Sequence, residues 1–248
     1  MLNKHTLQVR KGNYAEVVLL GDVHWGSPQC AKDKFLDMVN YCAQKKIYVM
    51  LMGDMIEMST RDSVGAGVYE QEFAGQTQVE QMIECIRPLA KAGLLLGSHN
   101  GNHCDRVYKA TGINIAKLMA KEWGCPYLGD AAWSRFKVGE HSYSMYSLHG
   151  RSGARFDGTA LLALERLAAP FHADVVACGH SHKCVSSSVL MQVKVRDRIV
   201  EHRKHLIIAG HYLRYNGGYA QTLGLPPSKL GSPKLKLHAD EHKVSVSW

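Results

Sequence analysis

The sequence predicts an α/β fold in which two mixed β-sheets are flanked by helices, and three observations lead there. Short apolar runs alternate with longer amphipathic segments, polar clusters follow directly on the apolar runs, and each cluster contains a glycine where the chain must turn. In chain order the expected strands are Ala15 to Leu20, Ile47 to Met52, Ala92 to Leu96, Tyr143 to Leu148, Ala173 to Ala177 and His205 to Ala209. The helices fall between them. Ser27-Pro28 reads as a cap and first turn before a helix whose apolar positions Phe35, Met38, Val39 and Cys42 follow three-four spacing. Thr77 to Glu80 reads as a capping box for a second helix that turns Val79, Ile83 and Ile86 inward. Two more are expected over Ile113 to Trp123 and Leu161 to Ala168. The last third changes character: Val185 to Val195, Arg198 to Ala209 and Leu235 to Trp248 alternate with strand periodicity, and residues 239–242 (ADEH) suit a hairpin turn.

With 248 residues, 46% of them hydrophobic, and no Pro/Ser-rich linker, low-complexity block or internal repeat, one domain over residues 1–248 is expected. Charged residues scattered through the start of the chain, followed by only a short apolar run, speak against a signal peptide or a membrane span. Seven cysteines without a CxxC pair fit neither a disulfide framework nor a zinc ribbon, and point to a reducing, cytoplasmic setting. The net charge of +8 is concentrated late, with 11 Lys/Arg against 4 Asp/Glu from Lys183 to Trp248. Such a balance favours an anionic partner, nucleic acid being the commonest.

The polar clusters carry the chemistry. They are GDVHWG (21–26), GDMIE (53–57), GNHCD (101–105), LHG (148–150) and GHSH (179–182). Each follows an expected strand, and in parallel α/β sheets the loops at the strands' carboxyl ends gather at one edge. The clusters should therefore converge. Their side chains are oxygen and imidazole donors that suit Mn, Fe, Zn, Ni or Co, with no thiolate among them. If the backbone stays extended after Gly179, His180 and His182 look to the same side about 6.5–7 Å apart, a spacing that fits two ions roughly 3.5–4 Å apart better than one. A carboxylate between two cations would lower their repulsion, and the paired charge would bring a shared water to hydroxide near neutral pH for attack on phosphorus. His103 is the candidate to contact the phosphate and protonate the leaving oxygen.

This order of motifs resembles that of the calcineurin-like metallophosphoesterases: D-x-H, then GD, then GNH with an acid, then H, then GHxH. The match runs from Gly21 to His182, about two thirds of the chain. The resemblance implies two mixed β-sheets flanked by helices, with the metals at the sheet edge. It implies that Asp22, His24 and His182 hold one divalent ion, that Asn102, His149 and His180 hold the other, and that Asp54 bridges both, with manganese the first candidate. Asp54, Asn102 and His103 would then be the catalytic residues. Two departures stand out. Cys104 occupies the place of the acid after GNH, with Asp105 following as a replacement, and Met58 stands where the protein serine/threonine phosphatases of the family carry arginine. Glu57, one residue earlier, matches the acid common in the family at its own position.

Substrate choice should lie outside these motifs. Met58 to Gly75 is glycine-rich and aperiodic, a loop over the site offering Arg61 and Tyr69. RSGAR places Arg151 and Arg155 where flanking phosphates could meet them, and the stretch from His211 to Ala220 mixes aromatics with Arg214, as base stacking and backbone contact would need. With the basic tail, these features favour a phosphodiesterase or nuclease acting on DNA, RNA or nucleotides, similar to the DNA-repair exonuclease branch of the family. The alternatives are a phosphomonoesterase or pyrophosphohydrolase on a small molecule, and a non-catalytic metal-binding scaffold; the ligand set here lacks no member, as scaffolds of this fold usually do.

Overall fold

A computed structural model describes every residue except 1, 11, 62, 64–66, 151 and 152. Two six-stranded mixed sheets pack face to face with helices on both outer sides. The first sheet runs β1 (Leu2–Thr6), β6 (Ala131–Val138), β7 (His141–Leu148), β8 (Val175–Cys178), β10 (Arg198–Ala209), β9 (Cys184–Val195). The second runs β12 (Val244–Ser247), β11 (Lys234–His238), β2 (Tyr14–Leu20), β3 (Tyr48–Leu51), β4 (Leu95–His99), β5 (Tyr127–Gly129). Alternation along β2 shows why the sequence reads as a continuous apolar run. Val17 and Leu19 enter the core between the sheets with Met50, Phe136, Met145 and Ile207, while Val18 and Leu20 face the helices. Helices α1 (Lys32–Lys45), α3 (Gly75–Lys91) and α5 (Ile115–Glu122) cover that outer face through Phe35, Val39, Ile86, Leu89 and Met119. On the other side α6 (Asp157–Ala168) sets Ala160 and Leu164 against Val176, Leu206 and Ile208.

What positions the site is the parallel block inside each sheet. β2, β3 and β4 are parallel neighbours, and so are β7, β8 and β10. Asp22, Asp54 and Asn102 follow the first three strands, and His149, His180, His182 and His211 follow the second three.

Several boundaries differ from expectation. The strand expected from Ala92 begins at Leu95, because Ala92 caps α3 and the Leu94 amide bonds back to Leu89. Ser27-Pro28 does not open α1, which starts at Lys32; the Ser27 amide turns back onto the His24 carbonyl (2.9 Å) and shapes the ligand loop instead. Thr77 is no cap either, since α3 starts at Gly75 after Ala74. The buried face of α3 centres on Gln78, Met82, Ile86 and Leu89, with Val79 and Ile83 only partly covered. Gln78 replaces a cap in effect: wholly buried, it accepts from the Met58 amide (2.9 Å) and donates to the Phe73 carbonyl (2.8 Å), tying the loop before the helix to its first turn. Two further short helices, α2 (Gly67–Glu70) and α7 (Tyr219–Thr222), lie within segments read as loops, and α4 (Asn102–Thr111) begins inside the GNHCD cluster. Strand β6 was not expected: it buries Ala132, Ser134, Phe136 and Val138 in alternation but has too few apolar residues to form a run.

The β11–β12 hairpin, whose turn falls where ADEH suggested, is held onto the other sheet by Tyr143. Its hydroxyl donates to the carbonyls of His238 (2.6 Å) and Glu241 (2.9 Å) and accepts from the Lys243 amide (3.0 Å). Tyr143→Phe removes these part-buried hydrogen bonds while water can still reach the turn carbonyls, so chemical denaturation should show a loss of about 0.5–1.5 kcal/mol; an unchanged midpoint would mean the hairpin is held by its apolar contacts alone.

Candidate metal centre

Two buried carboxylates form the floor of the site. Asp22 and Asp54 are 0% and 1% exposed. Each commits one oxygen to a backbone amide: Asp22 Oδ2 accepts from His180 N (2.9 Å), and Asp54 Oδ1 accepts from His103 N (2.9 Å) in the first turn of α4. The other oxygens face imidazoles. Asp22 Oδ1 lies 3.3 Å from His182 Nε2 and 3.9 Å from His24 Nε2, and the two imidazole nitrogens are 3.0 Å apart. Asp54 Oδ2 lies 3.1 Å from His149 Nε2, while Asn102 Oδ1 lies 3.0 Å from His149 Nε2 and 2.8 Å from His180 Nδ1.

Backbone and carboxylate contacts orient the rings. His149 Nδ1–H donates to the Met52 carbonyl (2.9 Å) and His24 Nδ1–H to Glu57 Oε2 (3.0 Å), which leaves each Nε2 lone pair directed inward. The loops themselves are zipped together, with the amides of Val23 and His24 on the Asp54 carbonyl and the Asp22 amide on Gly53.

The electrostatics call for a cation. Burial alone would push His149 down, yet the Asp54 carboxylate raises it to about 9. Burial opposes ionisation of Asp54 and Asp22 too, but facing imidazoles, His149 foremost at Asp54 and His182 at Asp22, hold both below the usual carboxylate range. Burial likewise disfavours the Glu57 carboxylate, and the His24 hydrogen bond nevertheless brings it down to about 2. Asp22 Oδ1 is buried and has no hydrogen-bond donor among the described residues, an acceptor directed at lone pairs that only a proton or an ion reconciles. Two groups, Asp22/His24/His182 and Asp54/His149/His180, are each compact enough to share an ion, and the donor set of imidazole, carboxylate and amide oxygen fits a divalent transition metal. A third group joins His24 and His103 through Glu57.

The backbone bears the strain of this convergence. Five of the nine non-glycine residues with positive φ among the described residues are Asp22 (50°), His24 (53°), Asp54 (46°), His180 (66°) and His182 (52°). Such left-handed conformations cost roughly 1–2 kcal/mol each for ordinary residues. The reasoning from an extended GHSH segment is therefore corrected: β8 ends at Cys178, and left-handed turns, not strand alternation, send His180 to the Asn102 cluster and His182 to the Asp22 cluster. Gly53 (φ 95°) is needed for close approach, since a Cβ there would meet the Asn100 carbonyl at 2.5 Å and His149 Nδ1 at 2.7 Å.

His103 sits on α4 with its Nδ1–H on the Glu57 carbonyl and Nε2 3.9 Å from Asp54 Oδ2. Burial lowers it to about 4. The acids beside its ring are Glu57 and Asp54; Asp105, expected to take over from the missing acid after GNH, accepts from Asn100 Nδ2 (2.6 Å). Cys104 turns into the apolar core beside Val107, and burial pushes its thiol well up, so it is a packing residue.

Two of the expected substrate contacts are engaged with groups outside these clusters. Arg61 is an exposed turn residue, Arg155 donates to the Gly224 carbonyl, Arg214 pairs with Asp33 of α1 (2.5 Å), and Tyr69 is 85% exposed on α2. Arg151 lies outside the described residues. Within the stretch read as base-stacking, Tyr212 is a core residue packed edge-on against Phe35. Its neighbour His211 was missed as a site residue: it follows β10, stacks on His182 (5.2 Å, 13°), and is 6% exposed. Its Nδ1 accepts from the Leu213 amide, so its proton resides on Nε2, a buried donor with no acceptor among the described residues. Its position after the sixth parallel strand was the available signal. Arg106 was missed as well and lies against the His103 ring.

Metal binding to such a site should be visible as stability. Manganese at 100 times its dissociation constant should raise the melting temperature of chelated protein by about 5–10 °C. Gly53→Ala should abolish most of that rise; an undiminished rise would place the ion elsewhere.

No protein-family model and no curated protein sequence matches the chain. Solved structures do. Yfce, a phosphoesterase from E. coli, aligns at 12% identity over 94% of this chain and 98% of that chain, with a TM-score of 0.43. A metallophosphoesterase from Sphaerobacter thermophilus aligns at 14% identity over 94% and 87%, with a TM-score of 0.43. A single mutant of Vps29 from Entamoeba histolytica aligns at 15% identity over 94% and 97%, with a TM-score of 0.40. What this chain can do is therefore read from its own residues.

Proposed function

We propose that the protein is a phosphoesterase dependent on two divalent metal ions, manganese first among them, and that it hydrolyses phosphodiester bonds of nucleic acid or nucleotides. The observation that carries the reading is the pair of clusters, each turning toward imidazole nitrogens the carboxylate oxygen that no backbone amide takes, at one edge of the sandwich. When bound, two such ions lower the pKa of a water they share and take up negative charge on the phosphate oxygens. The chain supplies the rest. Asp22, His24 and His182 would hold one ion and Asn102, His149 and His180 the other, with Asp54 between them. The resemblance of the motif order to the calcineurin-like metallophosphoesterases supports this division.

Burial is graded across the site. Asp22, Asp54, His24 and His149 lie at the floor, whereas Asn102, His180, His182 and Glu57 are half-buried at the rim, where a phosphate can enter. His103, one residue from Asn102, would contact that phosphate. Burial keeps its ring neutral on its own, so its service as an acid requires the negative charge of the bound phosphate to draw a proton onto Nε2. The net charge of +8 favours a polyanionic substrate.

Hydrolysis of bis(p-nitrophenyl) phosphate and of p-nitrophenyl phosphate, with manganese returned after chelation, tests the reading. Diester turnover should require metal and fall at least about 100-fold in Asp54→Asn, a substitution that keeps the side-chain shape and tolerates the left-handed backbone at this position. Turnover of the monoester alone would instead identify a phosphomonoesterase, and metal binding with no turnover of either ester would favour a scaffold.

A further inference from the structure

Arg106 lies one helical turn beyond His103 on α4, half-buried beside the site. Its Nη1 is 3.2 Å from His103 Nδ1 and its Nη2 is 3.1 Å from His103 Nε2. Only one of these can be a hydrogen bond. Nδ1 has no acceptor capacity to offer, because its proton is directed at the Glu57 carbonyl, so Nη2–H donates to the Nε2 lone pair. This contact fixes the fork against His103 while leaving the other N–H donors for a further acceptor. Among the described residues no carboxylate or carbonyl accepts from it, in contrast to Arg155 and Arg214, which are engaged with Gly224 and Asp33.

A half-buried guanidinium with N–H donors to spare, held against the His103 ring 3.9 Å from Asp54, is complementary to a tetrahedral oxyanion. We infer that Arg106 binds a nonbridging oxygen of the substrate phosphoryl group and orients that group against His103. The inference rests on the phosphoesterase reading and adds a residue to it. Lysine could not do the same, because an ammonium has no planar fork to share between the imidazole and a phosphate oxygen.

The test uses manganese-loaded full-length protein and inorganic phosphate as the probe, with phosphate Kd measured by calorimetry for the wild type, Arg106→Gln and Arg106→Lys. Metal stoichiometry and Tm are recorded for each, and KM and kcat for bis(p-nitrophenyl) phosphate are measured alongside. Loss of a charge-assisted contact should weaken phosphate binding on the order of 10- to 100-fold in Arg106→Gln, and Arg106→Lys should fall between Gln and wild type. Metal stoichiometry should stay unchanged. Phosphate affinity within about twofold of wild type in Arg106→Gln would overturn the inference while leaving the phosphoesterase reading standing. If Arg106→Gln proves misfolded by its Tm, Arg106→Lys decides, and wild-type affinity there would overturn the role of the fork. A wild type that binds metal but neither phosphate nor ester would overturn both.

Discussion

The site depends on two carboxylates that the fold buries completely and leaves half-satisfied. Taking an ionised carboxylate out of water is costly unless charge and hydrogen bonds replace the lost hydration. For Asp22 and Asp54 the replacement comes in two parts. A backbone amide, from His180 or His103, fixes one oxygen, and imidazoles face the other. The amide contribution is permanent because it is built into the loops. The imidazole contribution is conditional, since neutral rings with inward lone pairs repel the oxygen they face. A proton can reconcile them, as the raised His149 shows, and so can a divalent ion. The arrangement is a cation site by its electrostatics before any reaction is considered.

Holding these groups together consumes conformational energy that the sandwich must offset. The ligand residues are left-handed at Asp22, His24, Asp54, His180 and His182, and such strain persists only where the surroundings over-determine the backbone. They do so here. Asp22, Val23 and His24 are hydrogen-bonded to the GD loop, the Tyr212 amide bonds the Asp22 carbonyl, and each loop leaves a strand buried on both faces. The Tyr143 clasp and the three apolar clusters therefore matter to the site, and Met52 and Tyr212 of those clusters bond His149 and Asp22 directly.

Each sheet contributes a distinct kind of group. The parallel block of β2, β3 and β4 delivers the oxygens of Asp22, Asp54 and Asn102, together with His24; the block of β7, β8 and β10 delivers imidazoles only, at His149, His180, His182 and His211. Neither sheet alone completes the cluster around Asp22 or the one around Asp54, so these two exist only where the two sheets pack. Around this centre Glu57 ties His24 to His103, and Arg106 lies against the His103 ring.

The sequence by itself determined the α/β class, most of the strands, and the identity of the residues that converge, because these rest on local pattern: an apolar run, a glycine, then a short polar cluster with donors of one chemical type. GDVH, GD, GNH and GHSH are legible since ligand, glycine and strand end are neighbours in the chain. Only the tertiary structure decided how His180 and His182 part company, which is a matter of left-handed backbone after β8 that no alternation rule can express. It alone assigned Glu57 to His24, engaged Arg155 with Gly224 and Arg214 with Asp33, and brought forward His211 and Arg106. Arg106 carries no local signature, and His211 only its place after a strand. An arginine that pairs with Asp33 and one that lies against His103 look alike in the chain, and what separates them is the neighbour that packing places beside each.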